Sequence, residues 1–235
     1  MSSAVLFFLF ILMTSLSLHA RLTVVIDPGH GGIDGGTSNG FTKESALVLA
    51  IAQIIEKKIQ QDFSLASQLD VRLTRSSDRH LSLAQRIVPQ FELPADLFLS
   101  LHMNSSSSKR VAGMEVYFDT SQRTARSVVK PNPLVESTDH KVLKQILVDL
   151  TESGRNRWSQ LFAETLREQW TLGSAKAIRI PFFVLNNNSA PAVLIEAGYL
   201  SNATESQLLS EKNHQEIIAD KIIKSLLTYK QIAYK

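Results

Sequence analysis

The chain has 235 residues, 25 Lys and Arg against 22 Asp and Glu, and no Cys. A formal charge of only +3, without a basic run that alternates with aromatic residues, argues against nucleic acid as a partner. Because Cys is absent, the fold contains no disulfide, and any bound metal must take His and carboxylate ligands.

The first 20 residues are predicted to be a secretory signal peptide that is cleaved after Ala20. Residues 4–18 are almost wholly apolar, and this run is too short to cross a bilayer comfortably as a helix. Because no Lys or Arg precedes the run, a retained membrane anchor or a buried helix stays open as an alternative. The sequence therefore predicts export to the periplasm or cell wall, as a monomer spanning 21–235 that does not bind a membrane after cleavage.

Residues 21–235 suit one α/β domain with a well-buried core. Apolar runs of strand and helix period alternate along this part of the chain. Strands are predicted at 22–27, 71–74, 96–101, 113–118, 178–185 and 192–195, and helices at 43–61, 142–151, 158–170 and 217–229. Thr42 is the predicted N-cap of the first helix, and Asp78 that of a short helix near 81–87. The alternation predicts a mixed, mostly parallel twisted sheet of about six strands with helices on both faces.

Two His and two Glu residues stand at predicted ends of these elements. His30 follows the first strand in a Gly-rich loop, His102 ends the third strand, Glu44 opens the first helix, and Glu196 follows the last strand. In such sheets, sites gather at the carboxyl ends of strands, so these residues are expected to meet. Two His, one Glu and an open position form the ligand set of a hydrolytic zinc centre, and a further Glu is its usual general base.

Each of these residues also has a structural interpretation. The loop around His30 could be a simple turn, and Glu44 could favour the helix dipole. His102 could be a core residue that is bonded to the backbone. Glu196 is the hardest to explain in this way, because an acid after an apolar run is costly in a dry core unless it is paired or near a metal.

Several motifs in the same order resemble those of the zinc-dependent N-acetylmuramoyl-L-alanine amidases, which cut bacterial cell wall between glycan and stem peptide. The resemblance rests on residues 26–36, 42–44, 73–75 with Asp78 and Arg86, 95–104, 113–117, 183–185 and 191–202. It implies that His30, Glu44 and His102 bind one Zn²⁺ and that peptidoglycan is the substrate. It also implies that Glu196 takes a proton from the attacking water and passes it to the departing amine.

The remaining polar residues of these motifs are Asp27, Arg75, Asp78, Arg86 and Asn104. Asp27 either orients an imidazole or has a structural role at the strand end. Arg75, Asp78 and Arg86 are predicted to form a structural group of salt bridges. Asn104 either contacts substrate or caps a turn, and both interpretations stay open.

The segment 119–155 matches the family least. In relatives that work at division sites, an insertion here covers the zinc with a carboxylate until a protein partner removes it. Glu136 is the first residue nominated for that role in this chain, and Glu152 is the second. The alternative is an ordinary solvated loop with no regulatory effect.

Two other functions stay open. A zinc carboxypeptidase on the same fold would need a basic residue for a free carboxylate, and Arg179 is the suggestive candidate. A non-catalytic wall-binding module would be expected to have lost a ligand or the base. All four residues are present, which favours the amidase.

Overall fold

The computed structural model describes residues 21–87, 95–120 and 141–234, so the predicted signal peptide and most of the polar stretch 120–139 lie outside the described residues. The strands are Leu22–Pro28 (β1), Leu69–Leu73 (β2), Leu97–Asn104 (β3), Met114–Phe118 (β4), Ala175–Arg179 (β5) and Ala192–Tyr199 (β6). The helices are Glu44–Gln61 (α1), Phe63–Ala66 (α2), Leu83–Arg86 (α3), Lys141–Gln169 (α4), Phe183–Asn186 (α5), Ala203–Ser210 (α6) and Lys212–Ala233 (α7).

The six strands form one sheet in the order β2-β1-β3-β6-β4-β5. All neighbouring pairs are parallel except β4 and β6, which are antiparallel. This confirms the predicted mixed, mostly parallel sheet. The carboxyl ends of β1, β3 and β6 lie at the same edge of the sheet. His30 follows β1 closely, His102 lies on β3, and Glu196 lies on β6.

Helices cover both faces of the sheet, but the long ones share one face. Apolar residues of α1, α4 and α7 pack with alternate residues of the strands in the larger core cluster. The other face carries a smaller cluster, to which α5 contributes Val184 and Leu185. Because successive strand residues point to opposite faces, the strands contribute to both clusters. None of the described helices is long and apolar enough to cross a membrane.

The predicted cap of the first helix is wrong. The helix begins at Glu44, and no side chain caps it. Its first amides donate instead to backbone carbonyls, from Glu44 N to Thr37 O at 2.9 Å and from Ser45 N to Gly35 O at 3.1 Å. The Gly-rich loop folds back onto the helix start and replaces a capping side chain.

The predicted cap of the short helix is also wrong. Ser82 caps α3 and forms a reciprocal capping box with Gln85. The carboxylate of Asp78 accepts instead from Gly32 N at 2.8 Å. A Ser and a Gln three residues apart, the sequence pattern of a capping box, therefore mark the true start of this helix.

Several predicted elements differ from the structure in extent or type. The two helices predicted at 142–151 and 158–170 are one helix, α4, because the helix continues through Gly154 at the modest cost of a helical glycine. The strand predicted at 178–185 ends at Arg179, since Pro181 lacks the N–H of a strand residue and α5 follows. Strands β3 and β6 extend past their predicted ends, to Asn104 and Tyr199.

Candidate metal centre

The loop after β1 turns sharply at His30, which has a φ of 57°. This left-handed conformation is uncommon for residues other than Gly, and the next two residues, Gly31 and Gly32, also have positive φ. The carbonyl of His30 accepts from Arg86 Nη2 at 2.8 Å, which stabilises the turn. The turn thereby directs the His30 side chain towards the first turn of α1.

Arg75 holds this loop against α1. Its guanidinium is fully buried and donates to Pro28 O at 2.9 Å and, through Nη2, to Gly29 O and Ser45 O at 2.8 Å each. The predicted group of salt bridges is therefore only partly right, because these bonds of Arg75 go to carbonyls. Arg86 forms an ion pair at 3.0 Å with Asp27, which is not a member of the predicted group.

Asp27 does not orient an imidazole. Besides Arg86, its carboxylate accepts from the hydroxyl groups of Thr74 and Ser100. The role considered for Asp27 belongs to Asp34, whose Oδ2 lies 2.9 Å from His30 Nδ1. An Nδ1–H that donates to a carboxylate leaves Nε2 free as a metal ligand, an arrangement common around bound zinc. This role of Asp34 was not predicted from the sequence, although its position four residues after His30 could have indicated it.

His30, Glu44 and His102 converge on one point. Glu44 Oε1 lies 3.1 Å from His30 Nε2 and 2.9 Å from His102 Nδ1, and one ligand atom from each residue lies within 4.8 Å of the others. In a tetrahedral zinc site with bonds of about 2.0–2.1 Å, neighbouring ligand atoms are about 3.3 Å apart. The donor set and its spacing therefore fit a zinc ion.

Glu44 is held in place by backbone amides. Its Oε1 accepts from Met103 N at 3.0 Å, and its Oε2 accepts from Thr37 N at 2.9 Å. Burial opposes its charge, but hydrogen bonds from His102 and His30 outweigh burial and lower the pKa of Glu44 below its usual range. The hydrogen bond to Glu44, opposed by burial, raises the pKa of His30 to about 9. Metal binding at neutral pH must therefore displace a proton.

Two glycines leave space for the ligands. A Cβ on Gly29 would overlap the ring of His102, and a Cβ on Gly36 would overlap Glu44 Oε2 and His30 Cδ2. Gly36 also has a φ of +67°, which disfavours any side chain. The Gly-rich loop is thus shaped around the ligands.

We expect Gly36→Ala to reduce zinc content well below that of the wild type, because the added methyl group displaces Glu44 and His30. Gly40→Ala is the matched control, since Gly40 also has positive φ, +92°, but a methyl group there would meet nothing within 4 Å. Zinc per chain is measured by atomic emission after dialysis. Equal zinc content in the two variants would contradict a steric role for Gly36.

Glu196 stands beside the ligands on β6, in register with His102 on β3. Its Oε2 is buried and has no hydrogen-bond partner among the residues that the structure describes. Burial raises the pKa of Glu196 to about 7, with the charge of His102 opposing and that of Glu44 adding to the shift. A carboxyl group with this pKa can both accept and release a proton at neutral pH.

Glu115 lies opposite Glu196 on the antiparallel strand β4. Its Oε2 accepts from Asn104 Nδ2 at 3.1 Å and from the hydroxyl of Tyr117. Asn104 Oδ1 also accepts a hydrogen bond from the backbone amide of Ser105. The Asn104 side chain therefore caps the turn after β3, one of the two roles considered for it. Glu115 was not among the predicted site residues, because its place beside Glu196 depends on strand register.

The other nominated residues do not join this cluster. Strand alternation places Arg179 on the same face as Ala177, which packs against the larger core cluster, whereas Glu115 lies on the opposite face. Glu152 pairs with Arg155 within α4. Glu136 lies outside the described residues.

Comparison with known proteins identifies the family. The family model described as N-acetylmuramoyl-L-alanine amidase matches residues 24–228. The chain belongs to this family. The amidase is 31% identical to N-acetylmuramoyl-L-alanine amidase AmiA of Escherichia coli K12, over 89% of its own length and 76% of that relative. It is 28% identical to "Probable cell wall amidase LytH" of Staphylococcus saprophyticus, over 88% and 58% of the two chains.

Solved structures agree with the fold of the amidase. The catalytic domain of CwlV, an N-acetylmuramoyl-L-alanine amidase from Bacillus (Paenibacillus) polymyxa, matches with a TM-score of 0.65 and 28% identity, covering 92% of the amidase and 100% of that domain. AmiC2 of Nostoc punctiforme matches with a TM-score of 0.65 and 25% identity, covering 90% and 98%. The resemblance and the fold class predicted from the sequence are both confirmed.

Proposed function

We propose that this amidase hydrolyses the amide bond between the lactyl group of N-acetylmuramic acid and L-alanine in bacterial peptidoglycan, using one Zn²⁺ held by His30, Glu44 and His102. The observation that carries the proposal is the convergence of these three ligands within 4.8 Å, beside a buried carboxylate oxygen of Glu196 that has no partner among the described residues. Family membership supplies the bond that is cut.

The residues of the site have separate roles in the proposed reaction. When bound, Zn²⁺ supplies Lewis acidity, since it polarises a carbonyl and lowers the pKa of water to about 7. Glu196 accepts the proton of the attacking water and then donates it to the nitrogen of the departing L-alanine. Asp34 keeps the Nδ1 proton of His30 in place, which leaves Nε2 as the ligand atom.

The two other functions are less well supported. Arg179, the basic residue considered for a carboxypeptidase, lies on the opposite face of the sheet from Glu115 and Glu196. A non-catalytic module would have no need of a complete ligand set with a buried acid beside it, and this chain has both.

Mass spectrometry of fragments released from purified sacculi tests the function. An amidase releases stem peptides with a free L-alanine amino group and leaves intact glycan strands, and a chelator stops the release. Hydrolysis of peptide bonds in free peptides would favour the carboxypeptidase instead. Binding to sacculi without release of any fragment would favour the wall-binding module.

We also propose that the protein is exported, with residues 1–20 as the cleaved signal. Support comes from the apolar run in those residues and from a substrate that lies outside the cytoplasm. The test is the N-terminal sequence of the protein from the extracytoplasmic fraction. Arg21 as its first residue would support cleavage, whereas an intact N-terminus in the membrane fraction would show an anchor.

We propose further that the segment 119–155 is regulatory and that a protein activator acts on it. Support comes from its poor match to the family motifs and from a structural relative, the CwlD amidase of Clostridioides difficile, which was solved in complex with the GerS lipoprotein. Residues 141–155 form the first half of α4, where Glu152 pairs with Arg155, so Glu136 is the better nominee for a blocking carboxylate.

We expect deletion of residues 123–140, bridged by Gly and Ser, to raise the basal hydrolysis of sacculi, because an inhibitory carboxylate would be removed. Glu136→Gln should also raise the basal hydrolysis of sacculi. Activity and zinc content are measured together without any partner protein. Unchanged or lower activity in a folded, zinc-loaded deletion variant would show an ordinary loop.

A further inference from the structure

Four polar side chains form one lateral row across the sheet. His102 on β3 is in register with Glu196 on β6, Glu196 with Glu115 on β4, and Glu115 with Lys176 on β5. Residues in register point to the same face of a sheet. With strands about 4.8 Å apart, the row runs for about 14 Å from a metal ligand to the edge strand.

The far end of the row carries an available positive charge. Lys176 has a side chain that is 66% exposed, and its ammonium lies 3.9 Å from Glu115 Oε1. An ion pair of this length whose lysine is largely exposed contributes little and is readily exchanged. The other oxygen of Glu115 is engaged by Asn104 and Tyr117, so Glu115 is fixed while Lys176 can reach a ligand.

Aromatic residues lie beside the row. The ring of Phe182 packs edge-on against Tyr117, with centroids 5.1 Å apart. Phe182 remains 38% exposed. The row is therefore a polar strip beside an accessible apolar wall, a combination suited to an extended peptide.

The chemistry of the site indicates the direction in which a bound peptide runs along the row. In the proposed function, on which this inference rests, Glu196 donates a proton to the leaving nitrogen, so that nitrogen lies next to Glu196. The metal ligands are on one side of Glu196, and Glu115 and Lys176 are on the other. The departing peptide continues from this nitrogen and therefore extends past Glu115 towards Lys176.

We propose that this row binds the stem peptide and that Lys176 recognises a free carboxylate on its second residue. Lys176 lies two strand spacings, about 10 Å, from Glu196, and an extended chain advances about 3.3 Å per residue. The carboxylate of the second residue therefore falls within reach of the lysine side chain. Glu115 is placed to accept a backbone N–H of the peptide on the way.

The test uses two disaccharide dipeptides that differ in one group: N-acetylglucosaminyl-N-acetylmuramoyl-L-alanyl-D-isoglutamate, with a free α-carboxylate, and its D-isoglutamine counterpart, in which that group is a carboxamide. For the wild type, we expect kcat/KM to favour the free carboxylate by about threefold to tenfold, mainly through KM, as suits one partly exposed ion pair. Lys176→Ala should remove this preference, and Lys176→Glu should reverse it.

Lys224→Glu is the matched control, because Lys224 is exposed on α7, which packs with the long helices on the other face. It should keep the wild-type preference. As a readout independent of turnover, the free dipeptide L-alanyl-D-isoglutamate should inhibit sacculus hydrolysis less strongly in Lys176→Glu than in the wild type. Zinc content should be equal in all variants.

The outcomes separate this inference from the proposed function. If the wild type hydrolyses sacculi but the carboxylate preference is absent, or is the same in Lys176→Glu, the assignment of Lys176 is wrong and the amidase assignment stands. If the zinc-loaded wild type releases no peptide from sacculi, the proposed function fails and this inference fails with it.

Discussion

Replacing Glu196 by Gln is expected to lower turnover on sacculi by at least about 100-fold, since a general acid–base group contributes about 10²–10⁴-fold. Gln has nearly the same shape but cannot take up the proton of the attacking water. Zinc content should stay at the wild-type level, because Glu196 is not among the three converging ligands. Turnover and zinc per chain are measured on the same preparation.

Glu44→Gln should show the opposite pattern, with weakened zinc binding, because Glu44 Oε1 faces both imidazoles. Glu168→Gln is a control on an exposed part of α4 and should change neither quantity. If Glu196→Gln kept near-normal turnover, or if the phenotypes of the two Glu variants were exchanged, the assignment of base and ligand would be wrong.

The same assignment predicts the acid limb of the pH profile. Glu196 acts in its deprotonated form, and burial raises its pKa to about 7. In the wild type, kcat/KM should therefore fall as the pH drops below about 7 and should level off above it. A profile with no loss of kcat/KM between pH 7 and pH 5 would contradict a base with a raised pKa.

His102→Ala and His30→Ala are each expected to lower zinc content well below one per chain and to abolish wall hydrolysis. Each change removes one of three ligands, and two ligands do not complete the set that hydrolytic zinc sites use. His214→Ala on α7 is the control and should retain zinc and activity. Stoichiometric zinc in both ligand variants would rule out this ligand set.

Zinc binding should also release protons near neutral pH. The hydrogen bond to Glu44 raises the pKa of His30 to about 9, so the imidazole of the free chain is protonated at pH 7 and must lose that proton to bind zinc. Zinc affinity should consequently weaken as the pH falls. Calorimetric titration of the wild type with zinc in buffers of different ionisation enthalpy measures the proton release, and binding without proton release at pH 7 would contradict a protonated His30.

His30, Glu44, His102 and Glu196 could be proposed from the sequence because each stands at an end of a predicted strand or helix, a local pattern that needs no knowledge of the fold. His30 and His102 follow apolar strand runs, and Glu196 is an acid in an otherwise apolar stretch. Their convergence then follows from parallel strands that end at one sheet edge. Roles that depend on a partner distant in sequence could not be decided from the sequence alone. Asp27, for example, is engaged by Arg86, which is 59 positions away.

The sequence by itself determined the fold class, the family and the His and Glu residues proposed for the site, because apolar periodicity and motif order are properties of the chain alone. The tertiary structure decided the cap of α1, the union of two predicted helices into α4, and the lateral row from His102 to Lys176. These features arise from loop carbonyls, helix packing and strand register. The row joins strands that are far apart along the chain, the cap joins a loop to the helix that follows it, and α4 continues through a glycine. None of these three features follows from a local apolar pattern.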